Sequence, residues 1–441
     1  MYERKQLGSV QAKSETDRNT DMNNMAMQSH CSTVGIKRGL PLRMQYLGSK
    51  ARFSSWILHE VGKSLPNTDY FVDAFAGTGV VGAAAARNGY KLYANDIQPY
   101  SYCILQSMFA QPTAGLSRAI ADVDSIGNIP IASLCPSIAQ YGAEETDFFS
   151  QFRNGNLDWQ GYREFCHRAP LVTPTKEYAL RKTSEKPYDL FVNYYTNTYF
   201  GVRQCVQLDA LRKLASEYPE NVAYHVMAAT LASMTYAVSS TTHLAQYLKP
   251  NSLSNAQALI SRRSFDIISD VGARLRILND LKPVSTPDMI LNGDFRAAIN
   301  FVKPDHRYVV YVDPPYFKEH YSRYYHVLDT FFKYDYPMLT YNHRTKCVTS
   351  GRYREERITS EFGLKRSVKK AFSDLFDLGA SYRTNIVVSY ANTSLVQQTD
   401  LVSLASSAGY ETDIKEITIM HSGQGQPRHN IVTEYLLFCT T

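Results

Sequence analysis

No two of the seven cysteines form a Cys-x-x-Cys pair; they lie scattered from Cys31 to Cys439. That argues against a disulfide framework and against a structural zinc site, and a reducing cytoplasm is the expected compartment. No apolar stretch approaches the ~18 residues that a membrane helix requires, so no membrane partner is expected. The N-terminus also lacks the apolar core of a secretory signal. No internal repeat is visible. Nor is there a strong charge of one sign: a net +6 permits an anionic partner without demanding one. What remains is a globular composition, 44% hydrophobic and 20% charged, over 441 residues. That length holds one large or two ordinary domains with ample core. Tyrosine is in excess at 32 copies, which reads equally as base-stacking surface or as half-buried helix faces.

Residues 1–43 are polar, poor in aromatics and without hydrophobic periodicity, and are expected to form a disordered extension. From Met44 the pattern begins. Phe53, Trp56, Ile57 and Val61 recur at helical spacing between Arg52 and Ser64. Tyr70 to Phe75 reads as a buried strand; a glycine turn follows, then a helix over Val80–Asn88 that stops at Gly89. Lys91 to Asp96 makes a second strand. Strand, glycine turn, helix and strand with a terminal acid form a nucleotide-type unit. Beyond Asp96 the pattern turns helical, with long stretches at Asp209–Ser216, Val222–Ser239 and Ala256–Leu281 and polar loops such as Arg153–Tyr188. Strand-like runs resume at Met289–Phe295, Tyr308–Val312, Asn385–Tyr390, Glu416–Met420 and Val432–Phe438. The expected fold is α/β, a sheet domain of residues 44–110 and 285–441 split by a largely helical insertion at 111–284.

The run Tyr308–Val312 stops at Asp313-Pro314-Pro315-Tyr316. Neither proline can donate to a ladder and each presets its own φ, so the backbone beyond the strand is stiff. It displays a carboxylate, free carbonyl acceptors and an aromatic face. Those groups suit a planar base with an exocyclic amine: acceptors take the amine hydrogens while the ring stacks on tyrosine. As a bare tetrapeptide the same residues also make ordinary loops.

Four other segments carry chemistry. After Asp73 and Phe75, Gly77 and Gly79 let backbone pass close to a ligand where a Cβ would clash. The following helix N-terminus offers unpaired N–H groups. Asp96, at the end of the second strand, would accept ribose hydroxyls, and serves NAD or S-adenosylmethionine equally. Gly82 falls where the third glycine of a dinucleotide fingerprint would, so a hydride-transfer reading has a claim on this segment. Tyr46, Gly48 and Lys50 precede a helix; a glycine entry with a lysine can bind a carboxylate, or simply cap the helix. Asp294 and Phe295 at a strand end could hold an adenine by hydrogen bond and stacking, or form an Asn-Gly turn with their neighbours. Between Asn342 and Lys370, nine basic residues stand against three acids, a local +6 suited to phosphates or to a solvated face. His320 and His326 match no common ligand spacing, and no metal is expected. The loop from His421 to Gln426 has the length to reach DNA but needs no function.

Tyr46 to Lys50, Phe75 to Gly79, Asn95-Asp96, Gly293 to Phe295 and Asp313 to Tyr316 occur in that order. This arrangement resembles the Dam-type, class alpha family of adenine-specific DNA methyltransferases. The resemblance covers roughly residues 44 to 440 and is weakest over the insertion. It implies a Rossmann-like domain that uses S-adenosylmethionine, with the insertion serving target recognition. By that match Tyr46 and Lys50 help hold the methionine end of the cofactor. Asp73, Phe75, Gly77 and Gly79 line its pocket, Asp96 takes the ribose, and Asp294 with Phe295 holds the adenine. Asp313 and the Pro314 carbonyl would accept from the target amine, Pro315 stiffens the turn, and Tyr316 would stack on the flipped base. Double-stranded DNA is the implied partner, bound by a monomer, with a cognate restriction endonuclease as a candidate companion. The insertion is long for the compact members of that family. The alternatives are a cytosine-N4 or RNA base methyltransferase, a catalytically silent DNA-binding protein on the same scaffold, and an NAD-dependent oxidoreductase.

Overall fold

The computed structural model describes residues 42–46, 48–110, 114–240, 244–281, 289–302, 307–315, 321–392, 394–422 and 429–441. Its strands are β1 (Tyr70–Asp73), β2 (Lys91–Asn95), β3 (Met289–Leu291), β4 (Tyr308–Val312), β5 (Tyr341–Asn342), β6 (Cys347–Val348), β7 (Asn385–Ala391), β8 (Glu411–Ser422) and β9 (His429–Thr440). Among the described residues seven of them form one sheet in the order β3-β2-β1-β4-β7-β9-β8, and β5 and β6 form a separate hairpin.

β1 and β4 are buried at every position, as strands covered on both faces must be. Alternate side chains serve different layers. Tyr70, Val72, Val310, Val312, Ile386 and Val388 meet the helices Phe295–Ile299 and Val368–Ser381. Phe71, Val309, Tyr311, Val387, Leu436 and Phe438 meet the helices Ser54–Ser64 and Val80–Arg87. β1 lies parallel to both β2 and β4, with Asp73 abreast of Ala94 and of Tyr311. β7 continues the parallel set, and β9 runs antiparallel between β7 and β8. The result is a Rossmann-like sheet. The chain leaves β1 toward β2 and β3 on one side, then returns to β4 and β7 on the other. A crevice therefore opens at the strand carboxyl ends between β1 and β4, where open α/β sheets take their ligands.

Between β2 and β3 the chain is helical; helices that include Val202–Ser216, Glu220–Ala237 and Ile267–Asp280 build a second core, which they share with the helix His326–Lys333 that follows β4. Leu42 and Met44 are buried in this helical core. The Gln45 N–H donates to Thr235 Oγ1 at 3.1 Å, and Arg274 Nη1 donates to the Arg43 carbonyl at 3.2 Å. The segment that enters the sheet domain is thus fastened to the helices.

Several boundaries differ from the sequence reading. Ala256–Leu281 is two helices, Leu253–Arg263 and Ile267–Asp280, because Asp266 caps the second by accepting from the Ser269 N–H. The polar stretch 153–188 holds the helices Trp159–His167 and Lys176–Glu185, each started by a side-chain cap at Asp158 or Thr175. β3 stops at Leu291; Asp294 turns the chain into the helix Phe295–Ile299 by accepting from the Arg296 and Ala297 N–H groups. β8 and β9 are longer than read. Of the extension expected over 1–43, residues 1–41 lie outside the described residues, and Leu42 is buried. No described helix is long and apolar enough to cross a membrane.

Asn95, the last residue of β2, ties these ends together. Its Nδ2 donates to the carbonyls of Ala74 and Gly293 at 3.0 Å, and its Oδ1 accepts from the Gly293 N–H at 3.2 Å. Asn95→Ala leaves those buried groups unsatisfied and is expected to lower stability by about 1–3 kcal/mol, read as a lower urea midpoint at unchanged slope.

Candidate active site

The crevice between β1 and β4 is open to solvent, spans about 890 Å³ including that open space, and is lined by Tyr46, Lys50, Asp73, Phe75, Gly77, Asp96, Asp313, Pro314 and Pro315, among others. These nine residues come from four stretches of the sequence, 46–50, 73–77, 96 and 313–315, brought to one cleft. Gly77 and Gly79 both have positive φ, 55° and 73°. A Cβ on Gly79 would lie 2.8 Å from Leu105 Cδ2, and one on Gly77 would meet the Tyr46 ring at 3.5 Å. This turn accepts only glycine without strain, and its tightness brings the start of the helix Val80–Arg87 onto the cleft through Val80 and Val81.

Tyr46 closes one wall. Its ring stacks on Tyr325 at 4.8 Å, and its hydroxyl lies 3.2 Å from that of Tyr100. Asp96 accepts at both carboxylate oxygens, from the Gly77 and Gln98 N–H groups, each at 2.7 Å. Burial pushes its pKa up to about 6, against the pull of those two N–H groups. Asp73 Oδ2 accepts from the Gly82 N–H at 3.1 Å and so pins the helix to β1. This contact accounts for Gly82 without a pyrophosphate. Asp73 Oδ1 is buried and makes no hydrogen bond of ordinary geometry among the described residues. Burial, and then the nearby Asp313 carboxylate, push Asp73 up to about 8.

Asp313 caps β4 and is mostly buried. Lys50 Nζ lies 3.5 Å from Asp313 Oδ1 and 3.0 Å from Glu434 Oε2. Burial raises Asp313 to about 7, with Lys50 pulling it down and Glu434 pushing it up. Glu434 was not singled out from sequence: it sits in an apolar strand 121 positions from Asp313, and nothing local marks it.

A second cleft adjoins the first and shares Phe75, Ile97 and Ser360 with it. Asp294 and Phe295 line this neighbour. The Phe75 and Phe295 rings stack at 6.4 Å, and Phe362 meets both edge-on at 5.2 and 5.5 Å. Asp294 is already engaged as a helix cap and as an ion-pair partner of Arg296 at 3.0 Å. The segment 358–363 contributes to both walls and was also missed; its only signal was one phenylalanine inside a basic run.

Tyr316 and His320 lie outside the described residues. His326 is buried against Tyr199, and burial lowers its pKa to about 3. Among the described residues no group of three or more His, Cys, Asp or Glu is placed to hold a metal. The basic run divides. Arg352 and Arg354 are buried, bonded to the Val172 carbonyl at 2.5 Å and to Asp335 at 2.6 Å, so these two do not belong to a surface. Arg344, Lys346, Lys365 and Arg366 are exposed.

The family model for D12 class N6 adenine-specific DNA methyltransferases matches residues 46–133, the stretch that carries Tyr46, Lys50, the glycine turn and Asp96. Over that stretch the chain is similar to the D12-class methyltransferases. Among its curated relatives, the modification methylase LlaI of Lactococcus lactis subsp. lactis is 25% identical over 369 residues, 82% of this chain and 48% of that protein. The type II methyltransferase M.NlaIII of Neisseria lactamica is 24% identical over 66% of this chain and 70% of its own length. The modification methylase StsI of Streptococcus sanguinis is 22% identical over 85% of this chain and 48% of its length. The chain thus spans about half the length of LlaI and StsI.

Asp73, Asp313 and Asp96 around the crevice all hold their protons above the ordinary 3.8, as do Asp209 at about 8 and Asp329 at about 7. The folded chain therefore binds more protons than the unfolded one across this window. The stability these groups contribute is complete below pH 3.8 and is lost as the pH rises through their folded values. Neutral His326 works the other way only below its ordinary 6.5. The denaturation midpoint of the ligand-free protein is expected to fall between about pH 6.5 and pH 8, and Asp73→Asn should flatten that fall.

Proposed function

We propose that this chain transfers a methyl group from S-adenosylmethionine to the exocyclic N6 amine of an adenine flipped out of double-stranded DNA. The observation that carries the reading is Asp313-Pro314-Pro315 at the end of β4, across the crevice from the Gly77 and Gly79 turn. The similarity of residues 46–133 to D12-class methyltransferases supports a methyl-transfer role, and relatives named as modification methylases support DNA as substrate.

The residues present fit the cofactor. Asp73 leaves a buried carboxylate oxygen unsatisfied on the cleft wall, a natural seat for an ammonium or N–H donor. Asp96 accepts only one N–H at each oxygen and keeps lone pairs for ribose hydroxyls. Phe75, Phe295 and Phe362 form an aromatic wall suited to a purine, with Asp294 beside it. When bound, S-adenosylmethionine supplies a methyl group on a sulfonium, whose sulfur keeps the bonding pair as the methyl leaves.

Adenine's amine is a poor nucleophile because its lone pair is delocalised into the ring. Asp313 and the Pro314 carbonyl, held stiffly past β4, would accept the two amine hydrogens and localise that pair on nitrogen. Once methylated, that nitrogen would have to give up one proton. Asp313, raised to about 7, is suited to take it and release it to solvent through the open cleft. Positioning does most of the work, and no covalent intermediate with the chain is needed. Tyr316 would stack on the base.

The reading assigns the helical residues 111–284 to target recognition. It assigns the exposed β5–β6 hairpin, with Tyr341, His343, Arg344 and Lys346, to DNA contact. A monomer on DNA and a cognate restriction endonuclease as companion complete it.

Single-molecule sequencing of DNA from cells expressing the chain tests base and motif together; absence of modified adenine would sink the reading. Asp313→Ala should cut tritiated methyl transfer by roughly 10²–10⁴-fold while calorimetric cofactor affinity stays nearly unchanged. Replacing Arg344 and Lys346 by Ala should weaken DNA binding evenly across sequences and lower the salt slope by about 1 per lost phosphate contact.

A further inference from the structure

Lys50 meets its two carboxylates unequally. Its Nζ is 3.0 Å from Glu434 Oε2, a hydrogen bond, but 3.5 Å from Asp313 Oδ1. A charge-assisted bond between an ammonium and a carboxylate closes to about 2.7–2.9 Å when nothing opposes it. The looser contact is to the residue that the proposed chemistry needs.

The sheet explains how Glu434 arrives there. β9 runs antiparallel, so its beginning lies at the carboxyl ends of the parallel strands, with Glu434 abreast of Ala391 at the end of β7. Alternation puts Glu434 on the face that Leu436 and Phe438 share with Tyr311, and Asp313, two residues past Tyr311, on that face too. The intervening strand presents only Ser389 and Ala391 at these positions, so two acids on β4 and β9 can reach one lysine. Glu434 is 7% exposed and Lys50 4%, so neither is a solvated surface charge.

We propose that Glu434 is a positioning residue for Asp313: it draws the Lys50 ammonium aside, so that the Asp313 carboxylate remains open to a donor in the cleft. The proposal rests on the methyl-transfer reading for its kinetic consequence, but not for its geometry. With Glu434 neutralised, Lys50 closes on Asp313. The carboxylate then has a permanent partner, competes less well for an incoming amine, and binds a proton more weakly. With Lys50 neutralised instead, Asp313 binds its proton more tightly. The groups that face Asp313 are Lys50 before the helix Ser54–Ser64, Asp73 on β1, Tyr311 on β4 and Glu434 on β9. Asp73 and Tyr311 remain in every variant below.

The test follows the Asp313 carboxyl carbon by NMR in the full chain labelled at aspartate, the resonance being identified by its loss in Asp313→Asn. Glu434→Gln should weaken proton binding at Asp313 by about tenfold or more, Lys50→Gln should strengthen it, and Glu434→Asp should stay near the parent. Opposite displacements in two variants of one contact are not produced by loosened packing. In parallel, Glu434→Gln should lower kcat for methyl transfer by about tenfold, with KM for DNA and calorimetric cofactor affinity within about twofold, and its acid limb should move to lower pH. An Asp313 titration unchanged in Glu434→Gln would overturn the proposal. A parent chain that methylates no DNA, yet shows the two opposite displacements, would overturn the methyl-transfer reading and uphold the role of Glu434.

Discussion

A carboxylate taken out of water costs several kcal/mol unless something answers its charge, and Asp73, Asp96 and Asp313 are all taken out of water around one crevice. Each is answered differently. Asp96 has two backbone N–H groups at 2.7 Å, Asp73 has the Gly82 N–H at 3.1 Å and a weaker contact from Phe75, and Asp313 shares the Lys50 ammonium with Glu434. The local geometry serves these answers. In the glycine turn Gly77 has positive φ, and its N–H donates to Asp96. The helix after Gly79 begins where Gly82 can reach Asp73. The result is a crevice in which three carboxyl groups hold their protons more tightly than in solution.

The distribution of donors also separates two tasks in one cleft. The backbone answers Asp96, so that residue is rigid and its remaining lone pairs point where the turn directs them. A side chain answers Asp313, through Lys50, and side chains can rearrange. Rigidity therefore sits on the glycine-turn side of the crevice and adjustability on the β4 side. Small residues on β7 let a strand beyond it take part in that adjustment, and the antiparallel direction of β9 brings its start to the correct end of the sheet.

Much of this was legible in the sequence, for reasons that can be stated residue by residue. Tyr70–Asp73 and Tyr308–Val312 are apolar without alternation, so burial on both faces followed directly. Gly77, Gly79 and Asp96 lie within one local unit whose spacing constrains what each can do. Asp313 to Pro315 break a strand in a way that few other residues would. What escaped detection is what depends on distant partners. Glu434 looks like an ordinary acid in a strand until β9 is placed antiparallel beside β7. The segment 358–363 lies inside a basic run whose charge masks Phe362, and two arginines of that run, Arg352 and Arg354, turned out to be internal. The helix Lys176–Glu185 was hidden because it buries no residue and its signal is a single cap, Thr175, whereas Trp159–His167 shows Tyr162, Phe165 and Cys166 at helical spacing over only nine residues of an otherwise polar stretch.

Leu42 and Met44 are packed in the helical core, and Gln45 and Arg43 are bonded to Thr235 and Arg274 there; one residue later, Tyr46 forms a wall of the crevice. A chain whose consecutive Cα atoms are about 3.8 Å apart cannot decouple neighbours so close. The helices and the crevice are consequently joined by a lever with almost no arm. A displacement of the helical core by a fraction of an ångström arrives at Tyr46, and through its stacking on Tyr325, nearly undiminished.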